Sequence, residues 1–514
     1  MADRPQFYKN ILPLPQINKI TLHQALEDLR IAVLNGVNII ESEDPASGTD
    51  DGKGIFTGEL GIALTYLRLA QQTSALRQTA ETLSNFYTLS DGRIPEDGPD
   101  LPLRIGGLSP LASKSPVAAV VLRILHRCAT GGAGTVSGAD ITSLGDAATM
   151  ALSHGSAAFY HGHNLGADEI LFGRAGLLWA LLDIRAVATD LPIAQQRLLN
   201  PALDSIPRLL GRIIDAGREG GAEYVKSQGK NDALPLMWKW LPGGYGIGWA
   251  HGLAGIIPIV LACRPEELRS ESHDYLPEIG KTITALCKIC IAENGHLPTS
   301  IPPRSSSSTR EHPLVQICHG APAILGLLGC ALKSADLVLN HWEPEWDHAL
   351  RLAADRVWEE GLLSKGGGLC HGIAGNAWPF LLLHNVFEYN SDVLTRAREN
   401  YANRDFGLIP EMLTGDFFLS RALAMLLHCR ETRPYNQSPE TASNKYRMPD
   451  NPYSLFEGLS GTVCAWADAC AVIMARLRQM EVGVDFNQDA VFRECIQQQL
   501  GFPCLGRTRT TGLL

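Results

Sequence analysis

The chain has 514 residues, 45% hydrophobic and 19% charged, with 44 basic against 54 acidic side chains and a net charge of −10. That balance argues against a nucleic-acid-binding surface as its main business, and no run of about 18 uninterrupted apolar residues offers a transmembrane helix. The opening MADRPQFYKN lacks an apolar signal core and the 12 cysteines are scattered, so a cytoplasmic protein with reduced thiols is expected, peripheral attachment to a plasma membrane being left open.

In chain order, an amphipathic helix is expected from Leu22 to Leu34. Then comes the first of a series of Gly-x-x-Gly elements, Gly58-Glu-Leu-Gly61, heading the apolar segment LGIALTYLRLA. A long gap follows, with Pro/Gly/Ser-rich sequence from Asp91 to Pro116 and an Ala/Val/Leu helix near Val117 to Leu125 that reads as a degenerate unit. The element returns as Gly173-Arg-Ala-Gly176, Gly252-Leu-Ala-Gly255, Gly372-Ile-Ala-Gly375 and Gly458-Leu-Ser-Gly461. Gly320-Ala-Pro-Ala323 is a further copy with Ala for the second Gly.

Each copy heads a segment that is apolar nearly all round, as buried helices are. Pro258 and Pro379 fall inside two of them and are expected to kink or shorten those helices. Amphipathic segments lie between, at Pro201 to Ala216, Tyr275 to Ala292 and Trp346 to Glu359, and loops at Pro302 to Pro313 and Glu431 to Pro452. Strand alternation is scarce. Buried helices alternating with half-exposed ones predict an all-α fold, an α/α barrel with inner and outer rings. No composition break divides it, so one domain is expected over 1–514, with an N-terminal arm and a C-terminal tail over 482–514. The recurrent glycines read as tight turns crowded at one mouth of the barrel, or simply as turns and helix-packing sites.

Two repeat heads carry chemistry: Ile317-Cys318-His319-Gly320 and Leu369-Cys370-His371-Gly372. Thiolate and imidazole are the ligands Zn²⁺ prefers, and catalytic zinc keeps three protein ligands with one position open. Cys318, Cys370 and His371 are the candidate ligands, and His319 competes for the third place or braces it. The alternative is inert, packed cysteine. The Cys287-Lys-Ile-Cys290 spacing lies in a helical pattern and reads as packing. His251, at the equivalent place in Gly248-Trp-Ala-His-Gly-Leu-Ala-Gly255, is either a general acid or base or a hydrogen-bonded core histidine. Asp168 and Glu169, ahead of Gly173, either orient an imidazole and shuttle a proton or are solvated loop carboxylates.

At these residues the chain resembles the lanthionine synthetase C family, and within it the eukaryotic LanC-like branch. The matching stretches are Ala250-His-Gly-Leu-Ala-Gly255, Cys318-His-Gly-Ala-Pro322, Gly368-Leu-Cys-His-Gly372 with Ala374-Gly-Asn376, and Ser454-Leu-Phe-Glu-Gly458. Weaker matches are Gly58 to Leu67, Leu171 to Gly176, Pro235-Leu-Met237 and Arg4, so the resemblance spans residue 4 to about 475.

The resemblance implies an α/α toroid of about seven inner and seven outer helices, and one zinc on Cys318, Cys370 and His371. It implies addition of a zinc-activated thiol to dehydroalanine or dehydrobutyrine in a peptide or protein, glutathione supplying the thiol in the eukaryotic branch. His251 would deliver the proton, Glu169 with Asp168 adjacent would fill the carboxylate position, and Arg4, Lys365 and Arg447 would hold the glutathione carboxylates. Ala323, Ile317 where Trp is common, and the tail from Val482 to Leu514 depart from the pattern; no zinc ligand is lost. Two other readings stand beside this one. The first is a zinc- and glutathione-binding scaffold or signalling protein without turnover; the second is a lanthipeptide cyclase with its own peptide.

Overall fold

Among the described residues the chain alternates between peripheral helices and helices that return through the centre. The computed structural model describes residues 4–49, 51–77, 85–96, 102–130, 136–155, 157–160, 163–189, 191–229, 233–303, 312–402, 413–437 and 445–504. Among these the principal helices are α1 (Lys19–Glu43), α2 (Glu59–Gln71), α3 (Phe86–Asp91), α4 (Ala118–Ala129), α5 (Gly138–Ser153), α6 (Arg174–Ala188) and α7 (Ile206–Gln228). They continue as α8 (Leu253–Leu261), α9 (Leu276–Ala292), α10 (Ala321–Ala331), α11 (Pro344–Glu360), α12 (Ile373–Tyr389), α13 (Gly415–His428) and α14 (Leu459–Val482), followed by a short α15 (Ala490–Gln497).

Even-numbered helices form a closed ring. α2 packs on α4, α4 on α6, α6 on α8, α8 on α10, α10 on α12, α12 on α14, and α14 returns to α2. Odd-numbered helices pack outside: α1 on α14, α3 on α2, α5 on α4, α7 on α6, α11 on α10 with α9 against α11, and α13 on α12. This is the expected all-α toroid, with seven principal helices in each ring among the described residues. The helix expected near Val117 to Leu125 is α4, a full member of the inner ring.

Composition explains the layering. Inner helices such as α10 and α12 are buried on every side, whereas α7 buries one side, with Ile206, Leu209, Leu210, Ile213, Ile214 and Tyr224 among its buried residues, and leaves the other side at least partly exposed. Each fully buried Leu or Ile contributes about 1.5–3 kcal/mol of hydrophobic stabilisation. The stretch Leu459–Gln488 is long and apolar enough to cross a membrane, yet 89% of its most apolar window is buried, which marks a core helix.

Two expectations change in detail. The helix expected from Pro201 to Ala216 is two: Ile193–Leu203 ends before Asp204, and α7 starts at Ile206 with Pro207 in its first turn. Proline suits that first turn because its missing N–H would be unpaired there anyway. Pro379 leaves α12 running 17 residues, while α8, which holds Pro258, stops after 9. The loop over 302–313 and that over 431–452 fall partly outside the described residues.

Strands are short. They pair as Phe7–Tyr8 with Leu362–Leu363, Ala157–Tyr160 with His163–Gly166, Lys239–Leu241 with Gly244–Gly246 and then Ser300–Ile301, and Val315–Gln316 with His319–Gly320.

Candidate active site

Every inner helix with a Gly-x-x-Gly element begins immediately after the first glycine, so the residues ahead of it gather at one mouth. The second glycine is demanded by backbone crowding. A Cβ on Gly375 would lie 1.7 Å from the Leu369 carbonyl oxygen, and one on Gly255 would lie 2.0 Å from that of Trp249. Gly320 has φ +139°, a conformation side chains disfavour.

The heads are then tied to one another through the backbone. Trp249 N donates to Ile317 O (3.3 Å), Cys318 N to Cys370 O (3.3 Å), Cys370 N to Phe456 O (2.7 Å) and Phe456 N to Phe56 O (3.2 Å). These bonds bring two cysteines far apart in sequence to neighbouring places.

Cys318, Cys370 and His371 each offer a ligand atom, and the three atoms lie within 4.8 Å of one another. Both thiols are buried, at 4% and 7% exposure. Burial pushes the Cys318 thiol up, but hydrogen bonds with Cys370 and His371 and the charges of His319 and His371 outweigh it and hold the thiol well below its ordinary range. The hydrogen bond to Cys318 and burial keep Cys370 well above its own. Gln316 Nε2 adds a bond to Cys318 Sγ (3.1 Å). The helices α10 and α12 start two residues beyond His319 and His371, and their positive N-terminal ends favour thiolate.

This donor set fits a zinc ion: one imidazole nitrogen and two buried sulfurs, which as thiolates would neutralise the cation. A second cluster, His384, Glu388 and Asp416, also converges. Arg476 already occupies both of its carboxylates, at 2.7 and 3.0 Å, and so opposes a cation there.

His251 stands across the mouth, at the head of α8. A Cβ on Gly248 would meet Cys318 O at 2.1 Å, which shows how closely that head abuts the cysteines. His251 Nδ1 is hydrogen-bonded to Glu169 Oε2. The imidazole keeps 17% side-chain exposure and Glu169 only 1%, so the ring reaches the mouth and the carboxylate braces it from behind. Burial pulls the His251 pKa down, but the charge and hydrogen bond of Glu169 and the charge of Cys318 raise it above the ordinary value.

Asp168 faces elsewhere. Its carboxylate pairs with the buried Arg174 (2.9 Å), which also donates to Ala151 O, His154 O and Gly155 O. Burial pushes Asp168 up to about 6 against the pull of Arg174.

Sequence reasoning passed over Trp240. Its ring stacks on His251 at 4.8 Å and 11°, and lies 5.5 Å from His319. Nothing local marks it; the hairpin Lys239–Leu241/Gly244–Gly246 delivers it from another part of the chain. Gln316 was missed as well: Ile317 and Cys318 form the turn between Val315–Gln316 and His319–Gly320, and it is that turn that brings Gln316 to Cys318.

The three basic candidates share one edge. The arm strand Phe7–Tyr8 pairs with Leu362–Leu363, Ser364 N donates to Gln6 O (3.2 Å), and Arg447 N donates to Ser364 O (2.8 Å). Arg4 and Arg447 thus flank the loop that bears the exposed Lys365, whose charge reaches Cys370. Arg447 also pairs with Asp450 (2.7 Å), both side chains being exposed.

A family model described as lanthionine synthetase C-like protein matches residues 140–404. The glutathione S-transferase LANCL1 of Danio rerio is 26% identical over 316 residues, covering 61% of this chain and 62% of that protein. LanC-like protein GCL1 of Arabidopsis thaliana is 26% identical over 314 residues, covering 61% of this chain and 58% of that protein. The matches span less than two thirds of either relative. Among solved structures, nisin cyclase superposes with a TM-score of 0.35 at 12% identity, over 91% of this chain and 98% of that one. The family match covers more than half of the chain and includes Glu169, His251, Cys318, Cys370 and His371; the chain belongs to the lanthionine synthetase C-like family.

Proposed function

We infer that this chain adds a thiol, glutathione by preference, to the β-carbon of dehydroalanine or dehydrobutyrine residues in a peptide or protein, forming a thioether. The observation that carries the reading is the meeting, at one mouth, of Cys318, Cys370 and His371 with the Glu169-braced His251.

Cys318, Cys370 and His371 would hold zinc, which when bound would supply the Lewis acidity that keeps an incoming thiol ionised at neutral pH. The new S–C bond forms as the substrate's C=C π electrons move toward its carbonyl. The resulting enolate takes one proton at the α-carbon. His251 is suited to give it: Glu169 fixes Nδ1 and stabilises the imidazolium, leaving Nε2 to deliver the proton. Trp240 covers one face of that ring and limits water there. Arg4, Lys365 and Arg447 form a basic edge able to grip the two carboxylates of glutathione. The name of the Danio rerio relative supports glutathione as donor.

The test is mass spectrometry of a dehydroalanine-containing peptide incubated with glutathione and the protein. The expected result is a glutathione adduct formed faster than in buffer, and lost with Cys370→Ala. Metal-loaded protein that gives no adduct above background would overturn the enzymatic reading and favour a binding role.

A further inference from the structure

The C-terminal segment 498–504 does not trail from the surface; it climbs through the centre of the helical ring. At its entry, Gln72 Nε2 at the end of α2 donates to Gln498 O (2.8 Å). Deeper, Arg68 donates to Gly501 O, and Asp468 of α14 accepts from the amides of Leu500 (2.7 Å) and Gly501 (3.2 Å). Phe502 packs against Trp378 (5.4 Å) and Trp249 (5.5 Å). Cys504 is the last described residue of the climb, and its carbonyl accepts from Trp249 Nε1 (3.3 Å). Leu500, Phe502 and Cys504 are wholly buried.

Trp249 is where this segment meets the site. It lies two residues before His251. Its backbone N–H binds Ile317 O, beside Cys318. Its ring stacks on Phe456 at 5.2 Å, and the Phe456 carbonyl receives the Cys370 amide. One residue therefore joins the chain leading to the proton donor to both cysteine heads, through its backbone N–H to Ile317 and its ring to Phe456, and the C-terminal segment packs against that ring.

We propose that Trp249 is a positioning residue and that segment 498–504, through Phe502 and the Cys504 carbonyl, is the wedge that sets it, fixing His251 relative to the Cys318–Cys370 pair. The catalytic part of this claim rests on the thiol-addition reading; the geometric part does not.

Phe502→Ala, Phe502→Met and Trp249→Phe are made in the full chain, loaded with cobalt(II) alone, and compared by visible absorption and by glutathione-adduct kinetics. Misplacing reacting groups by about 1 Å costs up to about a hundredfold in rate. The expected result for Phe502→Ala and Trp249→Phe is a kcat lowered about tenfold or more with KM for glutathione within about twofold, full cobalt content and a shifted cobalt spectrum. Phe502→Met, which keeps the wedge filled, recovers most of both. Folded Phe502→Ala with the wild-type spectrum and rate overturns the proposal; if that variant fails to fold, Trp249→Phe decides in the same way. If wild-type protein binds cobalt but makes no adduct, thiol addition fails while the spectra alone judge the wedge.

Discussion

His251 and Glu169 show what a single pair of residues sets. The pair raises the imidazole pKa above its ordinary 6.5, so its contribution to stability is fully present below that pH and is lost as pH rises through the higher folded-state value. Glu169→Gln should flatten this part of the stability–pH curve in thermal melts; an unchanged curve would remove the pair's charge from the account. His251→Ala should retain metal yet slow addition about 10²–10⁴-fold, and a wild-type rate would exclude it as proton donor. The Cys-His pairs were legible in sequence because ligand chemistry resides in residue type. Trp240 was not, because stacking partners are set by distant parts of the chain. The pairing of Asp168 with Arg174, rather than with His251, was hidden for the same reason.

Elements were legible where periodicity and glycine spoke together. The heads of α8, α10 and α12 could be read as equivalent, since each brings its Cys or His to the residues just before a buried helix. The crowding that requires the second glycine involves a carbonyl six residues earlier, as Leu369 O at Gly375 shows. Gly375→Ala should therefore cost about 1–3 kcal/mol by overpacking and weaken metal retention at Cys370 and His371. Denaturant melts with metal analysis check this, and wild-type values for both would contradict it. Arg174→Met should cost about 3–5 kcal/mol, because Asp168 would be left buried without its partner; a smaller loss would mean that water reaches the carboxylate. The break at Asp204–Ser205 was missed because apolar periodicity continues across it, although Ser205 and Pro207 carried the start signal.

At the scale of the whole molecule, alternating helices foretold two rings but not what fills their centre. The region from 482 read as a tail because nothing in its own sequence says which buried charges it will meet. The inner ring carries Arg68 and Asp468 buried; the Gly501 carbonyl accepts from Arg68, and the amides of Leu500 and Gly501 join the side chains of Trp378 and Gln72 as donors to Asp468. That arrangement leaves the mouth as the place where the ring presents its chemistry. The most direct test of the central claim is a glutathione titration of cobalt(II)-loaded protein followed by visible and near-ultraviolet absorption. If Cys318, Cys370 and His371 hold the metal with a position open to a thiol, the thiolate-to-cobalt charge-transfer band rises saturably as a third sulfur joins, and Cys318→Ala lacks it. A spectrum indifferent to glutathione in fully loaded wild-type protein would contradict the claim.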